Sequence, residues 1–194
     1  MSATVLYMSM SLDGFISGPD DDHDNPLGID GHRLHDWLSE DGEPGGFRPS
    51  GVGGEVFDGL LATGAVVVGR RTSELAGGWG GDHHGVPIFV LTRHAPDGDT
   101  ARWPLVTYVA DVATAMARAR EAAGDSDVLV HGAQTAQLAL AAGVLDEMEI
   151  HQIPVLLGQG RPLFDHLGAD HIELELTRIV DAHGVTHLRY RVRR

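Results

Sequence analysis

The sequence predicts an α/β protein with a mostly parallel central sheet and a C-terminal antiparallel hairpin. Residues 66–68 (VVV) and 128–130 (VLV) are short, continuous apolar runs, which are typical of strands covered on both faces. Helical patterns alternate with such runs until about residue 150. From 172 to 192, two alternating runs flank an Ala-His-Gly turn, and this pattern indicates a hairpin.

The first half of the chain is assigned from local patterns. Residues 55–62 (EVFDGLLA) place apolar side chains at helical spacing, and Gly64 ends the helix. Segment 17–27 is rich in Gly, Pro and Asp, and segment 43–54 is rich in Gly, so we expect both to be loops and the second one to be mobile. The other elements are a strand over 4–9, a turn at Asp13-Gly14, a short helix over 32–38, and strands over 66–68, 86–91 and 105–109.

The second half contains the clearest helix, over 111–123. Asp111 is a suitable N-cap, and Gly124 stands at the C-terminal cap. The strand at 128–130 turns through 131–135 into a further helix that ends at Gly143. The segment 148–157 reads as a strand interrupted by Pro154, and the hairpin follows.

Composition limits the possible partners. The 194 residues are expected to form one domain, 1–194. The net charge is −14 and all 14 basic residues are arginine, so neither nucleic acid nor an anionic membrane is expected as the main partner. There is no cysteine for a disulfide or a thiolate metal site. No signal peptide and no run of about 18 apolar residues is visible, so a cytoplasmic location is expected.

Three predicted strand ends carry residues suited to phosphate. They are the segments 69–72 (GRRT), 92–93 (TR) and 132–135 (GAQT). In open α/β sheets ligands lie outside the carboxyl ends of the strands, and arginine binds phosphate through two parallel hydrogen bonds. Three such ends on one edge favour a dinucleotide. A hydroxyl and an arginine without a carboxylate favour a 2′-phosphate, which predicts NADP rather than NAD.

The order of these motifs resembles a known family. TVLYMSMSLDGFISG, VVVGRRTSE, VPIFVLTR and VHGAQTAQLALAAGVLDEMEIHQIPVLLG resemble the dihydrofolate-reductase fold. More closely, they resemble the reductase domain of the bifunctional riboflavin-biosynthesis deaminase-reductase, from about residue 4 to 192. No GxGxxG follows the first strand, so the usual Rossmann fingerprint is absent. The resemblance implies a three-layer dihydrofolate-reductase-like fold.

The resemblance also implies roles for single residues. Ser9 and Ile16 match positions that border the nicotinamide, and 69–72 matches the turn that binds the cofactor phosphates. Residues 91–93 match the strand end that meets the 2′-phosphate, and 132–135 match the pyrophosphate loop. The implied cofactor is NADPH. Its implied binding residues are Ser9, Ile16, Gly69, Arg70, Arg71, Thr72, Leu91, Thr92, Arg93, Gly132, Ala133, Gln134 and Thr135.

The substrate side departs from the family pattern. Dihydrofolate reductases carry a carboxylate four residues before an aromatic residue on the helix that precedes the GRRT strand. Here the aromatic residue is Phe57 and the carboxylate position is Gly53, while Glu55 lies two residues away, about 200° around a helix. The arginines that bind the ribosyl phosphate and the cysteines of the deaminase domain are absent. The candidates for the substrate pocket are Glu55, Phe57, Asp58 and Trp79.

Asp13 and the adjacent histidines are further candidates for a functional role. Asp13 is a candidate proton donor for reduction of a C=N or C=O group, although an Asp-Gly pair is more often a turn. His83 and His84 are adjacent in a glycine-rich loop, where solvated side chains are expected, and no metal-binding pattern is present. His131 replaces the acidic residue often found before the glycine of the pyrophosphate loop.

The function expected from these observations is an NADPH-dependent reductase that resembles the 5-amino-6-(5-phosphoribosylamino)uracil reductase of riboflavin biosynthesis. It would transfer a hydride to a small heterocyclic or sugar-derived substrate. The alternatives are dihydrofolate reductase activity and a non-catalytic nucleotide- or flavin-binding module. The family also implies a homodimer, with the 148–164 segment as the candidate contact.

Overall fold

Strands and helices alternate along most of the chain. The computed structural model describes residues 2–39, 48–94, 103–168 and 171–193. The strands are β1 (Thr4–Ser11), β2 (Phe15–Ser17), β3 (Ala65–Gly69), β4 (Ile88–Leu91), β5 (Val106–Val109), β6 (Val128–His131), β7 (Glu147–Ile153), β8 (Arg161–Pro162), β9 (Leu174–Ala182) and β10 (Val185–Val192). The α-helices are α1 (Gly51–Leu61), α2 (Arg70–Leu75), α3 (Val112–Ala123) and α4 (Ala133–Ala141), and 3-10 helices span Gly31–Leu38 and Gly77–Gly81.

The large sheet has the strand order β5-β4-β3-β6-β1-β7-β10-β9. The strands from β5 to β7 are parallel, β10 runs antiparallel to β7, and β9 and β10 form the terminal hairpin. The predicted α/β fold with a mostly parallel sheet is therefore confirmed. The short strands β2 and β8 form a separate two-stranded ribbon, which was not predicted because three and two residues are too few to show a period.

Helices cover both faces of the sheet. On one face the buried side chains of α3 and α4 pack against Leu6 of β1 and Met148 of β7. On the other face Leu60 of α1 and Trp79 pack against Val5, Tyr7 and the strands β3, β4 and β6. In the described part of the chain, no helix has the length and apolar character needed to cross a membrane.

Helix α1 begins at Gly51, four residues before the predicted start at Glu55. The glycines that suggested a loop allow this early start, because the helix passes close to Pro49. A Cβ at Gly54 would lie 2.6 Å from the Pro49 carbonyl oxygen. Residues 51–54 of the predicted loop are thus helical, and residues 43–47 lie outside the described residues.

A polar network ties the start of β1 to the segment before β7. The Asp146 carboxylate accepts hydrogen bonds from the Thr4 backbone N–H at 2.9 Å and from the Thr4 hydroxyl at 3.0 Å. Arg120 at the end of α3 donates to the same carboxylate oxygen at 2.5 Å. This contact joins a central strand, a helix and a loop that are distant in sequence, so it helps to set the register of β1 against β7.

Replacing Asp146 with alanine should therefore destabilise the fold. Loss of hydrogen bonds to a charged group costs about 2 kcal/mol, and we expect a decrease of this size in the free energy of unfolding, measured by urea denaturation. Asp125→Ala is the matched control, because Asp125 is exposed and close in sequence. Equal stability of the two variants would contradict this role for Asp146.

Candidate cofactor and substrate site

The three predicted phosphate-binding segments follow neighbouring strands. In the parallel ladder, Gly69 at the end of β3 pairs with Leu91 at the end of β4. On its other side, Val68 of β3 pairs with His131 at the end of β6. Adjacent strands lie about 4.8 Å apart, so the three strand ends occupy about 10 Å of one sheet edge. The structure thus brings together the segments that the sequence placed far apart.

The turns after β3 and β6 pack directly against each other. A Cβ at Gly132 would lie 2.5 Å from the Thr72 hydroxyl oxygen, and a Cβ at Gly69 would lie 2.9 Å from the Thr135 hydroxyl oxygen. Each turn therefore contributes a glycine that leaves space for the threonine of the other. Gly132 also has a φ of +91°, a conformation that residues with a side chain rarely adopt.

The N-terminus of α4 is suited to bind an anion. Gly132 is the N-cap, and the helix continues for nine residues from Ala133, so its first backbone N–H groups lack intrahelical acceptors. Thr135 is fully buried, and its hydroxyl oxygen has no hydrogen-bond partner among the described residues. Gln134 is exposed beside it. The N-terminus of α4 therefore offers backbone N–H donors suited to an anion.

The arginines of the predicted site have different surroundings. Arg70 is exposed and forms an ion pair with Glu74 one turn along α2, at 3.0 Å. Arg71 instead binds the carboxylate of Asp21 at 2.8 Å. Arg93 is exposed beyond β4, where the preceding Thr92 hydroxyl donates to the carbonyl oxygen of residue 94 at 3.0 Å. Among the residues that the structure describes, Arg93 has no ion-pair partner, so within this part of the chain it is the arginine of the set best placed to reach a ligand.

The two residues predicted to border the nicotinamide are both buried, but against different groups. The Ser9 hydroxyl accepts a hydrogen bond from the Trp37 indole N–H at 2.9 Å. Ile16, on β2, belongs to the apolar cluster beneath α3 and α4. Ser9 therefore faces a polar, aromatic corner, whereas Ile16 faces the core.

His131 lies at the end of β6, against an aromatic wall. Its ring is 6.1 Å from the Trp79 ring and 5.4 Å from the His83 ring, measured between centroids. Its Nδ1 lies 2.9 Å from the Tyr7 carbonyl oxygen, which can only accept, so Nδ1 carries the proton and Nε2 is an acceptor. Burial lowers the pKa of His131 to about 4, although the bond to Tyr7 opposes this shift. At neutral pH the ring is uncharged.

His83 and His84 are not solvated as expected. His84 Nε2 lies 3.0 Å from the Thr63 carbonyl oxygen and therefore donates to it, which leaves its Nδ1 as an acceptor. His83 Nδ1 lies 2.7 Å from His84 Nδ1 and must donate to it. The other ring nitrogen of His83, Nε2, is therefore also an acceptor. Burial, followed by His131 and His84, lowers the pKa of His83 to about 3.

The glycines around Trp79 explain how this wall is built. Gly78 and Gly81 lie against the Trp103 indole, where any Cβ would overlap ring atoms. Both also have positive φ, and Trp79 itself has a φ of +50°. The 3-10 turn is thus held flat on Trp103 and directs Trp79 towards His83, at a ring distance of 4.7 Å. The role of Trp79 in the substrate pocket stays a prediction, and the structure places its ring beside His83 and His131.

The other pocket candidates are less engaged. Glu55 is exposed on α1, and Asp58 is exposed and paired with Arg48 at 2.6 Å. Phe57 is half-buried. The helix does approach the site, since a Cβ at Gly59 would lie 3.4 Å from the Tyr7 hydroxyl. None of these carboxylates shows the burial expected of a group that holds a heterocycle.

Asp13 has a clear structural contact. Its carboxylate accepts hydrogen bonds from the Ser11 hydroxyl at 2.5 Å and from the backbone N–H groups of Leu157 and Gly158 at 3.1 and 2.7 Å. The bond from Ser11, with those from the two amides, lowers its pKa. Such a carboxyl is ionised at neutral pH and joins two loops, so the geometry favours the turn interpretation over proton donation.

A second histidine pair, which sequence reasoning missed, lies beside Ser9. The strand register aligns Ser9, His151 and His187 across β1, β7 and β10. The Nδ1 atoms of His151 and His187 are 2.8 Å apart, and Trp37 packs on both rings. Burial lowers both pKa values, that of His187 to about 4. Within the described ranges, no three histidine, aspartate or glutamate side chains are placed to hold a metal ion.

The fold and this sheet edge define a class: an α/β protein of dihydrofolate-reductase-like architecture with two interlocked, phosphate-compatible turns. The family model of the RibD C-terminal domain matches residues 3–188. The chain therefore belongs to the RibD C-terminal domain family, the reductase domain family of riboflavin biosynthesis. No curated protein matches the chain.

Solved structures share this fold. A putative riboflavin biosynthesis protein from Shewanella sp. PV-4 has 23% identity and a TM-score of 0.74, and the match covers 99% of each chain. RibD from Acinetobacter baumannii has 16% identity and a TM-score of 0.65 over 100% of this chain and 59% of that one. The Thermotoga maritima deaminase/5-amino-6-(5-phosphoribosylamino)uracil reductase has 13% identity and a TM-score of 0.63 over 98% of this chain and 56% of that one. The chain thus spans just over half of the latter two proteins.

The buried histidines predict acid sensitivity. Because the folded pKa of His187 is about 4 and its ordinary value is 6.5, the unfolded chain binds more protons between these values. The free energy of unfolding is therefore unaffected by His187 above pH 6.5. It decreases as the pH falls towards 4, by roughly 3 kcal/mol once the unfolded chain is fully protonated. Urea denaturation between pH 7.5 and 4.5 should show this loss.

The difference between variants isolates this contribution. His187→Gln should flatten the pH dependence, whereas His171→Gln should not, because the His171 side chain is 88% exposed. Burial raises the pKa of Glu149, so this residue changes the pH dependence of stability in the opposite direction. It is present in the unaltered protein and in both variants, so its effect cancels in the comparison. An unchanged slope in His187→Gln would argue against the buried pair as the source.

Proposed function

We propose that the protein is an NADPH-dependent reductase that acts on a small heterocyclic substrate. The observation that carries the proposal is the interlock of the turns 69–72 and 132–135. It creates a glycine-lined surface at the sheet edge, beside the N-terminus of α4. A backbone this close and this rich in free N–H groups is suited to a pyrophosphate.

The residues present fit such a cofactor. The buried Thr135 hydroxyl has no partner among the described residues, and a Cβ at Gly132 or Gly69 would meet the threonine of the opposite turn and force the two turns apart. The amides of 133–135 would hold the pyrophosphate, and Arg93 would meet the 2′-phosphate. When bound, NADPH would supply the hydride.

The aromatic wall formed by Trp79, His83 and His131 favours a substrate with a neutral ring that carries N–H groups. Trp79 offers a flat apolar surface, and His131 and His83 each present an unprotonated Nε2. Two acceptors beside an aromatic ring match an aminopyrimidine or pteridine better than a sugar phosphate. Both histidines would orient the substrate and exclude water, and at neutral pH neither is a proton donor.

Two substrates follow from this chemistry. The first is the pyrimidine intermediate reduced by riboflavin-biosynthesis reductases, and the second is dihydrofolate. Oxidation of NADPH, followed at 340 nm with each in turn, should identify the substrate. Oxidation with neither, despite tight NADPH binding, would leave a non-catalytic binding module as the better description.

A homodimer remains an expectation drawn from the family. Residues 148–152 of the expected 148–164 contact are paired on both sides, with β1 and β10, so their backbone edges are not available to a second chain. Residues 154–164 carry the exposed apolar side chains Leu156 and Phe164. A dimer through this segment would therefore use the loop rather than the strand.

Gly132→Ala should weaken NADPH binding more than an alanine at another glycine with positive φ does. The added methyl group meets the Thr72 hydroxyl at 2.5 Å and forces the turn apart, so we expect NADPH affinity to fall by about tenfold or more. Gly143→Ala is the matched control, because it also has positive φ but nothing within 4 Å of its Cβ. Tryptophan fluorescence quenching by NADPH measures both. Failure of the unaltered protein to bind NADPH would end the reductase proposal.

Arg93→Ala should change the preference between cofactors. A lost charge-assisted hydrogen bond to the 2′-phosphate should weaken NADPH binding by about tenfold or more and leave NADH binding nearly unchanged. Arg191→Ala, a substitution of an exposed arginine on β10, is the control. Equal losses for NADPH and NADH would remove the 2′-phosphate assignment.

A further inference from the structure

Asp21 behaves differently from its acidic neighbours. It lies in the run Asp20-Asp21-Asp22, whose outer members are exposed, yet its own side chain is only 10% exposed. The Asp21 carboxylate remains ionised at neutral pH. Burial raises the pKa of Asp21, but hydrogen bonds from Arg71 and Arg161 outweigh this effect, and the net pKa is lowered. A buried, ionised carboxylate therefore sits in an otherwise exposed loop.

Two arginines from separate elements grip this carboxylate in the same way. Arg71 approaches with Nη2 at 2.8 Å from Oδ1 and Nε at 3.3 Å from Oδ2. Arg161 approaches with Nη2 at 3.1 Å from Oδ1 and Nε at 3.3 Å from Oδ2. Both forks converge on one anionic centre, which is the arrangement that arginine pairs use for phosphoryl groups.

The position of this centre links it to the interlocked turns. Arg71 is the second residue after Gly69, inside the 69–72 turn, and Arg161 lies on β8, which pairs with β2. The guanidinium side chains are 48% and 41% exposed, so an external ligand can reach them. The site is therefore at the edge of the proposed cofactor cradle.

The loop that carries Asp21 can leave without unfolding its base. The base is closed by hydrogen bonds from the Gly18 N–H to the Leu27 carbonyl oxygen and from the Ile29 N–H to the Pro19 carbonyl oxygen. Within the described residues, the hydrogen bonds from the tip, residues 20–26, to residues outside the 18–29 loop are those of Asp21. Release of the Asp21 side chain, together with the bond from Arg71 to the Asp21 carbonyl oxygen, thus frees the tip.

Charge favours exchange of this carboxylate for a phosphoryl group. Two guanidinium groups carry two positive charges and Asp21 carries one negative charge, so this carboxylate neutralises only half of the charge of the two arginines that bind it. Asp22 and Glu74 also act on Arg71, but Glu74 is paired with Arg70. A phosphoryl group with two negative charges and three acceptor oxygens satisfies both forks more fully than a carboxylate.

We propose that Arg71 and Arg161 form a binding site for a phosphoryl group, and that Asp21 competes with that group for both arginines. The phosphoryl group can belong to a dinucleotide or to a phosphorylated substrate. The first assignment rests on the proposed NADPH function, and the second does not.

The test compares Asp21→Asn with Asp20→Asn by isothermal titration calorimetry. The probes are NADPH, inorganic pyrophosphate and ribose 5-phosphate. Asp21→Asn keeps the shape of the side chain and removes its charge, so the phosphoryl ligand should bind about tenfold more tightly than to the unaltered protein. Asp20→Asn should change nothing. The double variant D21N/R161Q should lose the gain, because one of the two forks is then missing.

The probes identify the ligand. A gain for NADPH and pyrophosphate assigns the site to the cofactor, and a gain for ribose 5-phosphate alone assigns it to the substrate. A gain for pyrophosphate with no NADPH binding by any variant supports this site while refuting the proposed reductase. Two results would overturn the proposal: a lower melting temperature of Asp21→Asn without a gain in affinity for any probe, or a gain in affinity that survives in the double variant. Asp21 would then serve only to fix its loop to Arg71 and Arg161.

Discussion

The site depends on the contact between the two turns that follow β3 and β6. These strands are neighbours in a parallel ladder, so their carboxyl ends meet, and the helices α2 and α4 must leave from the same point. Two glycines make this possible, because each faces the threonine of the opposite turn. Small residues here let the backbones approach, and close backbones keep the amides of α4 available to a ligand. The anion binding proposed for this edge thus rests on how the sheet brings the two turns together.

Much of the fold could be predicted because parallel strands bury both faces. The runs at 66–68 and 128–130 are fully apolar for that reason, and they stand out in the sequence. The start of α1 could not be predicted, since its glycines serve a tight approach to Pro49 that no local propensity reports. The ribbon of β2 and β8 escaped for a different reason. Two very short strands distant in sequence acquire their partner only in the folded chain.

The histidines show where the prediction of the site stopped. On β7 the polar residues Glu147, Glu149 and His151 alternate with apolar ones, so they share a face, and His187 and Arg189 do the same on β10. This alternation is visible in the sequence and signals a polar face within a covered sheet. Their partners were not predictable, because the register that aligns Tyr7, Glu149 and Arg189 joins three strands that are not consecutive. Burial lowers the pKa values of His151 and His187, so both imidazoles are neutral at neutral pH. Their burial depends on the folded sheet and could not be read from the sequence.

The composition of the chain gives anion binding a particular character. Acidic residues outnumber basic ones by 28 to 14, and every base is an arginine. This excess has a visible result around the turn 69–72, since Arg70 is paired with Glu74 and Arg71 with Asp21. A phosphate that approaches these side chains must replace a carboxylate that already satisfies them. Binding is then an exchange of one anion for another, and its strength depends on the difference between the two sets of hydrogen bonds. An acidic protein can in this way hold a phosphorylated ligand without a strongly basic surface, because selectivity resides in which carboxylate can be displaced.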